Sequence, residues 1–131
     1  DHLSIVVSGI GDGDERRLID NTMTKLRSLV QETGIGLILV SHLKRPEGNK
    51  GHEDGAQVSL AQLRGSAAIA QLSDSVVGLE RDQQSSEDKN TTTIRVLKNR
   101  FSGQTGEAGK LFFSQETGRL TEVGATMESV F

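Results

Sequence analysis

Residues 91–103 read TTTIRVLKNRFSG. The β-branched and apolar residues up to Leu97 predict a strand, and the polar residues and glycine that follow predict its end and a loop. Side chains alternate between the two faces of a strand, so Lys98 and Arg100 are predicted to point the same way. Two cations on one face suit a phosphate, although charged residues at a strand end are also common on ordinary solvent-exposed surface. This stretch alone leaves both interpretations open.

Composition narrows the class of protein. A length of 131 residues predicts one domain or a part of one. The net charge of -3 argues against a generally basic nucleic-acid-binding surface, so any contact with nucleic acid must be local. The absence of cysteine excludes disulfides and thiolate metal sites, and no apolar run is long enough to span a bilayer. We expect a soluble, intracellular protein without a membrane partner. Because the sequence opens on DHLSIVVS, without Met or a signal peptide, we also expect it to be part of a longer polypeptide.

The first forty residues predict a strand, a helix and a second strand. Leu3–Val7 is a short apolar run with strand character. In Glu15–Thr33 apolar residues recur at three- and four-residue spacing, which predicts an amphipathic helix capped by Asp12 or Asp14 and ended by the glycine that follows it. Ile35–Val40 is continuously apolar, which predicts a buried parallel strand. This order predicts a β-α-β unit of an α/β sheet.

The remaining segments predict a loop, a helix and several strands. Arg45–Val58 is polar and rich in glycine, which predicts a long mobile loop. Ser59–Asp74 is predicted to be helical in its second half, and Ser75–Leu79 is predicted to form a strand. After the strand that begins at residue 91, we expect a glycine-rich loop over residues 103–109. Lys110–Ser114 and Arg119–Val123 then predict a β-hairpin.

Polar and basic residues follow directly on the predicted strand that ends at residue 40. In open parallel sheets ligands bind beyond the carboxyl ends of the strands, so His42 is a candidate functional residue, with a hydrogen-bonded structural histidine as the alternative. Lys44, Arg45 and Lys50 give the next loop positive charge, although nearby carboxylates dilute it and a plain solvated loop remains open. His42 and His52 fit no metal-ligand spacing.

Four motifs occur in order along the chain. They are SHLK at Ser41–Lys44, LRGSAAIAQLSD at Leu63–Asp74, LERDQQ at Leu79–Gln84 and LKNRFSGQTG at Leu97–Gly106. Together they resemble the helicase domain of the phage primase-helicases, with the mitochondrial Twinkle helicase and bacterial DnaB as more distant relatives. The resemblance covers residues 1 to about 123. It implies the C-terminal portion of a RecA-like P-loop NTPase core, an α/β fold with a mainly parallel sheet flanked by helices and a C-terminal β-hairpin, and we expect residues 1–131 to be that portion, with the tail after about residue 123 disordered.

The resemblance implies a nucleotide site. Asp1 resembles the Walker B aspartate that holds the nucleotide's Mg²⁺, which prefers carboxylate and water ligands. His42 matches the family histidine that senses the γ-phosphate, and Gln71 matches a glutamine near the nucleotide. The implied nucleotide is ATP or dTTP.

The same resemblance implies that neighbouring subunits share this site. Arg100 matches the arginine finger and Lys98 its basic companion, and both reach the nucleotide bound by the adjacent subunit. A guanidinium supplied across an interface stabilises the charge that develops during phosphoryl transfer. Arg81 is an additional candidate for a nucleotide contact.

Two loops are implied to contact DNA. Lys44–His52 corresponds to a central-channel loop that grips single-stranded DNA, and Gln57–Ser66 borders a second such loop. The candidate DNA-binding residues are Lys44, Arg45, Lys50 and Arg64. Lysine and arginine contacts to backbone phosphates give affinity without sequence reading, and six subunits would repeat them around a channel.

The implied function of the parent protein is nucleotide-driven translocation on single-stranded DNA with duplex unwinding, by a homo-hexameric ring. Primase and DNA polymerase are further candidate partners. The expected location is the cytoplasm of a bacterium or a phage-infected cell, with the mitochondrial matrix as the alternative. The sequence contains no G-x-x-x-x-G-K-[ST] motif, so we expect this chain alone not to hydrolyse nucleotide. Two alternatives stay open, a recombinase-type ATPase that coats single strands and a degenerate, non-enzymatic DNA-binding paralogue.

Overall fold

A computed structural model describes residues 2–8, 14–63 and 67–124 of the chain. These residues form two compact units. The helical unit comprises Asp1–Lys44 and Leu60–Asp74, and the sheet unit comprises Arg45–Ser59 and Ser75–Phe131. No helix in the described part of the chain is both long and apolar enough to cross a membrane.

Three α-helices and one short 3₁₀ helix lie in the part of the helical unit that the structure describes. Helix α1 spans Leu3–Ser8, α2 spans Glu15–Thr33, the 3₁₀ helix spans Leu60–Gln62 and α3 spans Ala68–Leu72. Its core is a cluster of four buried side chains contributed by all three α-helices: Leu3, Ile19, Met23 and Ile69. The helical second half of the segment that ends at residue 74 is thereby confirmed.

Helix α2 forms as its sequence predicts. The Asp14 carboxylate accepts a hydrogen bond from the backbone N–H of Arg16 at 3.1 Å, which identifies Asp14 as the cap. At the other end Gly34 adopts a left-handed conformation with φ of 69°, and its N–H donates to the carbonyl of Val30 at 2.8 Å. Ile19 and Met23, four residues apart, are the two buried side chains of the helix.

The segment Leu3–Val7 is helical, so the predicted strand is wrong. A short apolar run cannot be assigned to a strand or a buried helix by periodicity alone. A strand also needs a neighbouring ladder for its backbone groups, whereas a helix satisfies them within the segment. Leu3 is 1% exposed in the core, and its backbone N–H donates to the carbonyl of Val40 at 2.8 Å.

Ile35–Val40 is not a strand either, and most of its side chains are exposed. Ile38 is 95% exposed and Val40 59%, whereas Leu39 packs against the core. A parallel strand is apolar on both sides because neighbouring strands and helices cover it. The described residues place no such layers around this segment, which explains why the predicted parallel strand is absent.

The described residues of the sheet unit form four strands, and all neighbouring strands are antiparallel. Strand β1 spans Ser75–Glu80, β2 spans Thr91–Asn99, β3 spans Gly106–Ser114 and β4 spans Arg119–Glu122, in the order β1-β2-β3-β4. The expectation of a mainly parallel sheet is therefore wrong for the described residues. The connections have room only for turns, whereas parallel neighbours need a crossover of about a dozen residues or more.

The strands predicted within the sheet unit are confirmed. The strands that begin at residues 75 and 91 and the C-terminal hairpin are all present, and Val123 N–H donates to the Lys110 carbonyl at 2.9 Å beyond the end of β4. Strand β3 begins at Gly106, so the predicted glycine-rich loop ends there and does not continue to residue 109. The ladder is irregular between Val76 and Val77 and between Ile94 and Arg95, where β-bulges break the regular alternation.

The second half of the predicted mobile loop packs on the sheet. Val58 is 2% exposed, and Asp54 forms an antiparallel bridge with Asp82 just beyond β1. The N–H of Gln83 donates to the carbonyl of Glu53 at 2.8 Å. The description of residues 45–58 as one solvated loop is therefore wrong for its second half, and we call Gly51–Val58 the stem.

Candidate functional site

His42 lies in the helical unit, two residues before the first candidate DNA-binding loop begins. Its side chain is exposed, and its ring meets the ring of His2 edge to face, with centroids 3.9 Å apart and planes inclined by 62°. The structure thus places His42 after an irregular extended segment, not at the end of a parallel strand. Sequence reasoning missed His2, whose only signal was its place beside the candidate aspartate at the start of the chain.

Gln71 is exposed on α3 in the same unit. Its helix is held by Ile69, which is buried in the core, and by the residue after its C-terminal cap. That residue, Asp74, accepts a hydrogen bond from Arg27 of α2 at 2.9 Å in a partly buried ion pair. Gln71 therefore lies on a short helix that is held by the core at Ile69 and by the Arg27–Asp74 ion pair just beyond its C-terminal end.

Lys98 and Arg100 lie in different local structures. Lys98 is half-buried in β2 opposite Val76, whereas Arg100 is exposed in the turn that begins after Asn99. Because strand alternation stops at the strand end, the argument that placed both cations on one face does not hold for Arg100. The Asn99 carboxamide oxygen instead shapes this turn by accepting from the N–H groups of Phe101 at 3.1 Å and Ser102 at 3.2 Å.

Arg81 is exposed and directly follows β1. The antiparallel register pairs Glu80 with Thr93 and Ser75 with Asn99. Arg81 therefore lies at the opposite end of the β1–β2 ladder from Lys98 and Arg100, about 20 Å away at about 3.3 Å per strand residue. Within one chain the structure does not bring these three cations to one phosphate.

The two segments implied to contact DNA meet at their bases within the helical unit. Leu43 forms an antiparallel bridge with Leu63, and the Lys44 N–H donates to the Gln62 carbonyl at 2.6 Å. The side chains of His42 and Lys44, on either side of the bridged residue, are both exposed. A candidate phosphate sensor and a candidate DNA-binding cation thus flank one fixed point.

The other candidate cations divide between described and undescribed residues. Arg45 and Lys50 are exposed in the sheet unit, and the Arg45 guanidinium lies 3.7 Å from the Glu53 carboxylate. Arg64 and Asp1 lie outside the described residues, so their predicted roles stay predictions. Within residues 2–8, 14–63 and 67–124, no group of three or more histidine and acidic side chains is arranged to hold a metal ion.

A buried carboxylate on β1 is a feature that sequence reasoning missed. Both Glu80 oxygens accept hydrogen bonds from the Arg95 guanidinium, the second at 3.2 Å, and one of them also accepts from the Val58 N–H at 2.9 Å. The side chains are 9% and 18% exposed. Burial acts to raise the pKa of Glu80, but the bonds from Arg95 and Val58 and the charges of Arg95 and His52 outweigh it and hold that pKa below its ordinary value.

The four motifs that carry the resemblance lie between Ser41 and Gly106, and the comparison with known protein families covers them all. Residues 1–122 match the family of the DnaB-like helicase C-terminal domain. The chain belongs to that family.

Two further comparisons agree with this match, the first in sequence and the second in fold. The chain is 49% identical over 120 residues to a DNA helicase/primase of Enterobacteria phage T3. This alignment covers 92% of the chain and 21% of the phage protein. A solved structure of a DnaB-like replicative helicase, described with its interactions with primase, matches with a TM-score of 0.68 at 24% identity, over 85% of this chain and 26% of the solved one. The chain therefore spans about a fifth to a quarter of the length of these relatives.

Proposed function

We propose that this chain is the sensor, finger and DNA-loop portion of a ring-shaped replicative DNA helicase, which couples nucleotide hydrolysis to translocation on single-stranded DNA. The observation that carries the proposal is the bridge between Leu43 and Leu63, because it fixes His42 and Lys44 on either side of one residue. A change at a phosphate near His42 then reaches a DNA-binding cation through a very short covalent path. The identity to a phage DNA helicase/primase supports the same assignment.

In the proposed site, residues of one chain serve two nucleotides. His42 and Gln71 face the γ-phosphate of the nucleotide, ATP or dTTP, that the chain's own subunit binds, with Asp1 holding Mg²⁺ directly or through water. Arg100 and Lys98 act on the nucleotide of the adjacent subunit. Arg100 is exposed in the turn that follows β2, and we propose that its guanidinium reaches the nucleotide of the neighbour from there.

The separation of about 20 Å between Arg81 and this turn, along the β1–β2 pair, supports a separate role for Arg81. We propose that Arg81 faces a different nucleotide or interface from Arg100, because one phosphate group cannot reach both ends of the β1–β2 pair. Its proposed role is nucleotide binding and not the arginine finger.

The proposed partners are single-stranded DNA, five further copies of the chain in a ring, primase and DNA polymerase, in the cytoplasm of a bacterium or a phage-infected cell. We propose that residues 1–131 are the C-terminal portion of a RecA-like core. The phosphate-cradling loop and the carboxylate that activates water would be supplied by other residues of the full-length protein.

The experiment that tests the function changes the loop cations in the full-length protein. Lys44→Ala with Lys50→Ala should weaken single-strand binding and reduce its salt dependence by about one to two counterions, while basal hydrolysis stays near the wild-type rate. Lys25→Ala with Lys89→Ala is the matched control, because these lysines are exposed but lie outside both loops. Binding that keeps its strength and salt slope in the loop variant would reject the DNA contact.

Electron microscopy of the full-length protein tests the assembly. Six-membered rings are expected in the presence of nucleotide and single-stranded DNA. Open filaments that coat the DNA would instead favour a recombinase-type ATPase.

A further inference from the structure

The stem, Gly51–Val58, is fastened to the sheet unit at three points along its length. Near its start, the Glu53 carbonyl accepts from the Gln83 N–H at 2.8 Å, and Asp54 is bridged to Asp82. At its end, the Val58 N–H donates to the Glu80 carboxylate at 2.9 Å. The stem therefore follows the end of β1 closely.

The side chain of Val58 packs where β1 leaves space for it. Gly78 is buried, and a Cβ atom at that position would lie 3.1 Å from the Val58 Cβ and 3.3 Å from the Leu97 Cδ1. The missing side chain at residue 78 thus allows Val58 to approach the strand backbone. This contact explains why Val58 is 2% exposed although it belongs to a polar, glycine-rich segment.

The Glu80 carboxylate joins this end of the stem to β2. A carboxylate removed from water needs partners for its oxygens, and here Arg95 of β2 and the Val58 N–H supply them. The guanidinium engages both oxygens, which fixes the plane of the carboxylate and therefore the direction from which Val58 can donate. Arg95 orients Glu80, and Glu80 holds the stem.

The cations before the stem depend on it for their position. Arg45 and Lys50 lie in the same unit as the stem, and Arg45 pairs with Glu53 of the stem at 3.7 Å. With the stem held by its contacts to the sheet, the part of the loop that precedes it is residues 45–50. A loosened stem would extend it to residue 58, so more chain would have to be ordered when the cations bind phosphates.

We propose that Glu80, oriented by Arg95, is a positioning residue that fixes the stem of the Arg45–Lys50 loop and thereby strengthens its binding to single-stranded DNA. The inference rests on the proposed function, because it takes the loop cations to be the DNA contacts. Loosening the stem removes no cation. The affinity should therefore fall while the number of released counterions, and with it the salt slope, stays the same.

The test uses the full-length protein with Glu80→Gln, which keeps an acceptor oxygen but loses the charge, and Arg95→Lys, which keeps the charge but not the paired donors. Glu122→Gln on exposed β4 is the control. Affinity for a fluorescent oligothymidylate is measured across a sodium chloride series, and hydrogen exchange follows the backbone amides of residues 51–58. We expect the dissociation constant of Glu80→Gln to rise about 5- to 10-fold at an unchanged salt slope, with faster exchange in the stem, and a smaller rise for Arg95→Lys.

A charge-reversed pair separates anchoring from general stability. Glu80→Arg with Arg95→Glu can restore the ion pair but leaves the Val58 N–H facing a cation. Compared with either single variant, the double variant should therefore recover thermal stability without recovering the affinity for DNA. Full recovery of affinity by this double variant would overturn the anchoring role of Glu80.

The remaining outcomes are distinguishable from a failure of the proposed function. Normal affinity in Glu80→Gln despite faster stem exchange, or unchanged exchange despite lower affinity, overturns the inference alone if Lys44→Ala with Lys50→Ala still weakens binding. If the lysine pair also leaves binding unchanged, the proposed function falls with it. Should Glu80→Gln fail to fold, Arg95→Lys decides the matter by the same two measurements.

Discussion

The close approach of Val58 to β1 can be probed by adding one methyl group. In Gly78→Ala the new Cβ would lie 3.1 Å from the Val58 Cβ and 3.3 Å from both Val58 Cγ2 and Leu97 Cδ1. These separations are tighter than ordinary van der Waals contact, so the stem or β2 must shift by a few tenths of an ångström. Gly78→Ala is therefore expected to destabilise the sheet unit.

Two opposing terms give the magnitude. Overpacking a tight core site costs about 1–3 kcal/mol. Replacing glycine by alanine in a strand recovers about 0.5–1 kcal/mol of backbone entropy. The net expected loss in the free energy of unfolding is therefore about 1 kcal/mol, and it should be relieved when Val58 is shortened. Val58→Ala alone should cost about 2 kcal/mol, because it removes two buried methyl groups and leaves a cavity.

The assay is a double-mutant cycle in which each variant is unfolded in urea. Unfolding is monitored by far-ultraviolet circular dichroism, because the chain has no Trp or Tyr. The combined variant should lose clearly less than the sum of the two single losses, because the new methyl group fills part of the space that Val58→Ala empties. Gly109→Ala on β3 is the matched control, as nothing lies within 4 Å of its added Cβ, and it should be neutral or slightly stabilising. Additive losses, or a stabilised Gly78→Ala, would refute the packing argument.

Three further results are expected. Because the pKa of Glu80 is lowered in the folded state, Glu80 contributes fully to stability at pH values above its ordinary pKa of 4.5. That contribution is lost as the pH falls through the lowered folded-state pKa. Glu80→Gln should therefore flatten the acid limb of the pH profile of stability, measured by urea unfolding, and leave the profile near neutrality unchanged in shape. Residues 1–131 alone should show no DNA-stimulated phosphate release above a His42→Ala background in a colorimetric assay, because they contain no phosphate cradle. In the full-length protein Arg100→Lys should assemble and bind nucleotide yet lose most turnover. If the finger acts between subunits, mixing Arg100→Ala with a phosphate-loop lysine variant should restore some activity. Mixed rings that stay inactive at every ratio would contradict that role.

The features that were predicted correctly are encoded within single segments. The spacing of Ile19 and Met23, the cap at Asp14 and the glycine at position 34 lie within one helix and its two ends, so no distant residue is needed to specify them. The strand from residue 91 is likewise set by its own β-branched residues. Local chemistry decided both elements.

The features that were predicted wrongly depend on neighbours. Leu3–Val7 and Ile35–Val40 are apolar runs of a length that suits either a strand or another buried conformation, and only adjacent strands could select between them. Whether neighbouring strands are parallel or antiparallel depends on the length of the connection between them. The polar turn at residues 81–90 is short enough to allow only antiparallel pairing of β1 with β2. The short connection was visible in the sequence, but the expectation of a mainly parallel sheet was followed instead.

The candidate site divides in the same way. His42, Lys44 and Gln71 were found because they lie inside motifs that resemble a known family. Arg45 and Lys50 were found because they lie in the loop that directly follows the first motif. The Glu80 and Arg95 pair was missed because Arg95 lies outside the four motifs and meets Glu80 only through the register of β1 on β2. A charged residue in the middle of an apolar strand was the available signal, since such a residue needs a partner when the strand is covered.

The two units are interleaved along the polypeptide, which crosses from one to the other after residues 44, 59 and 74. No single cut can therefore separate them. A polypeptide that begins at Ser75 would keep all four strands, but it would expose the gap at Gly78 and deprive Glu80 of its bond to Val58. Gene truncations that follow the linear order of motifs would thus damage the sheet they aim to isolate, and a minimal piece would need residues 45–59 joined to it by a designed linker.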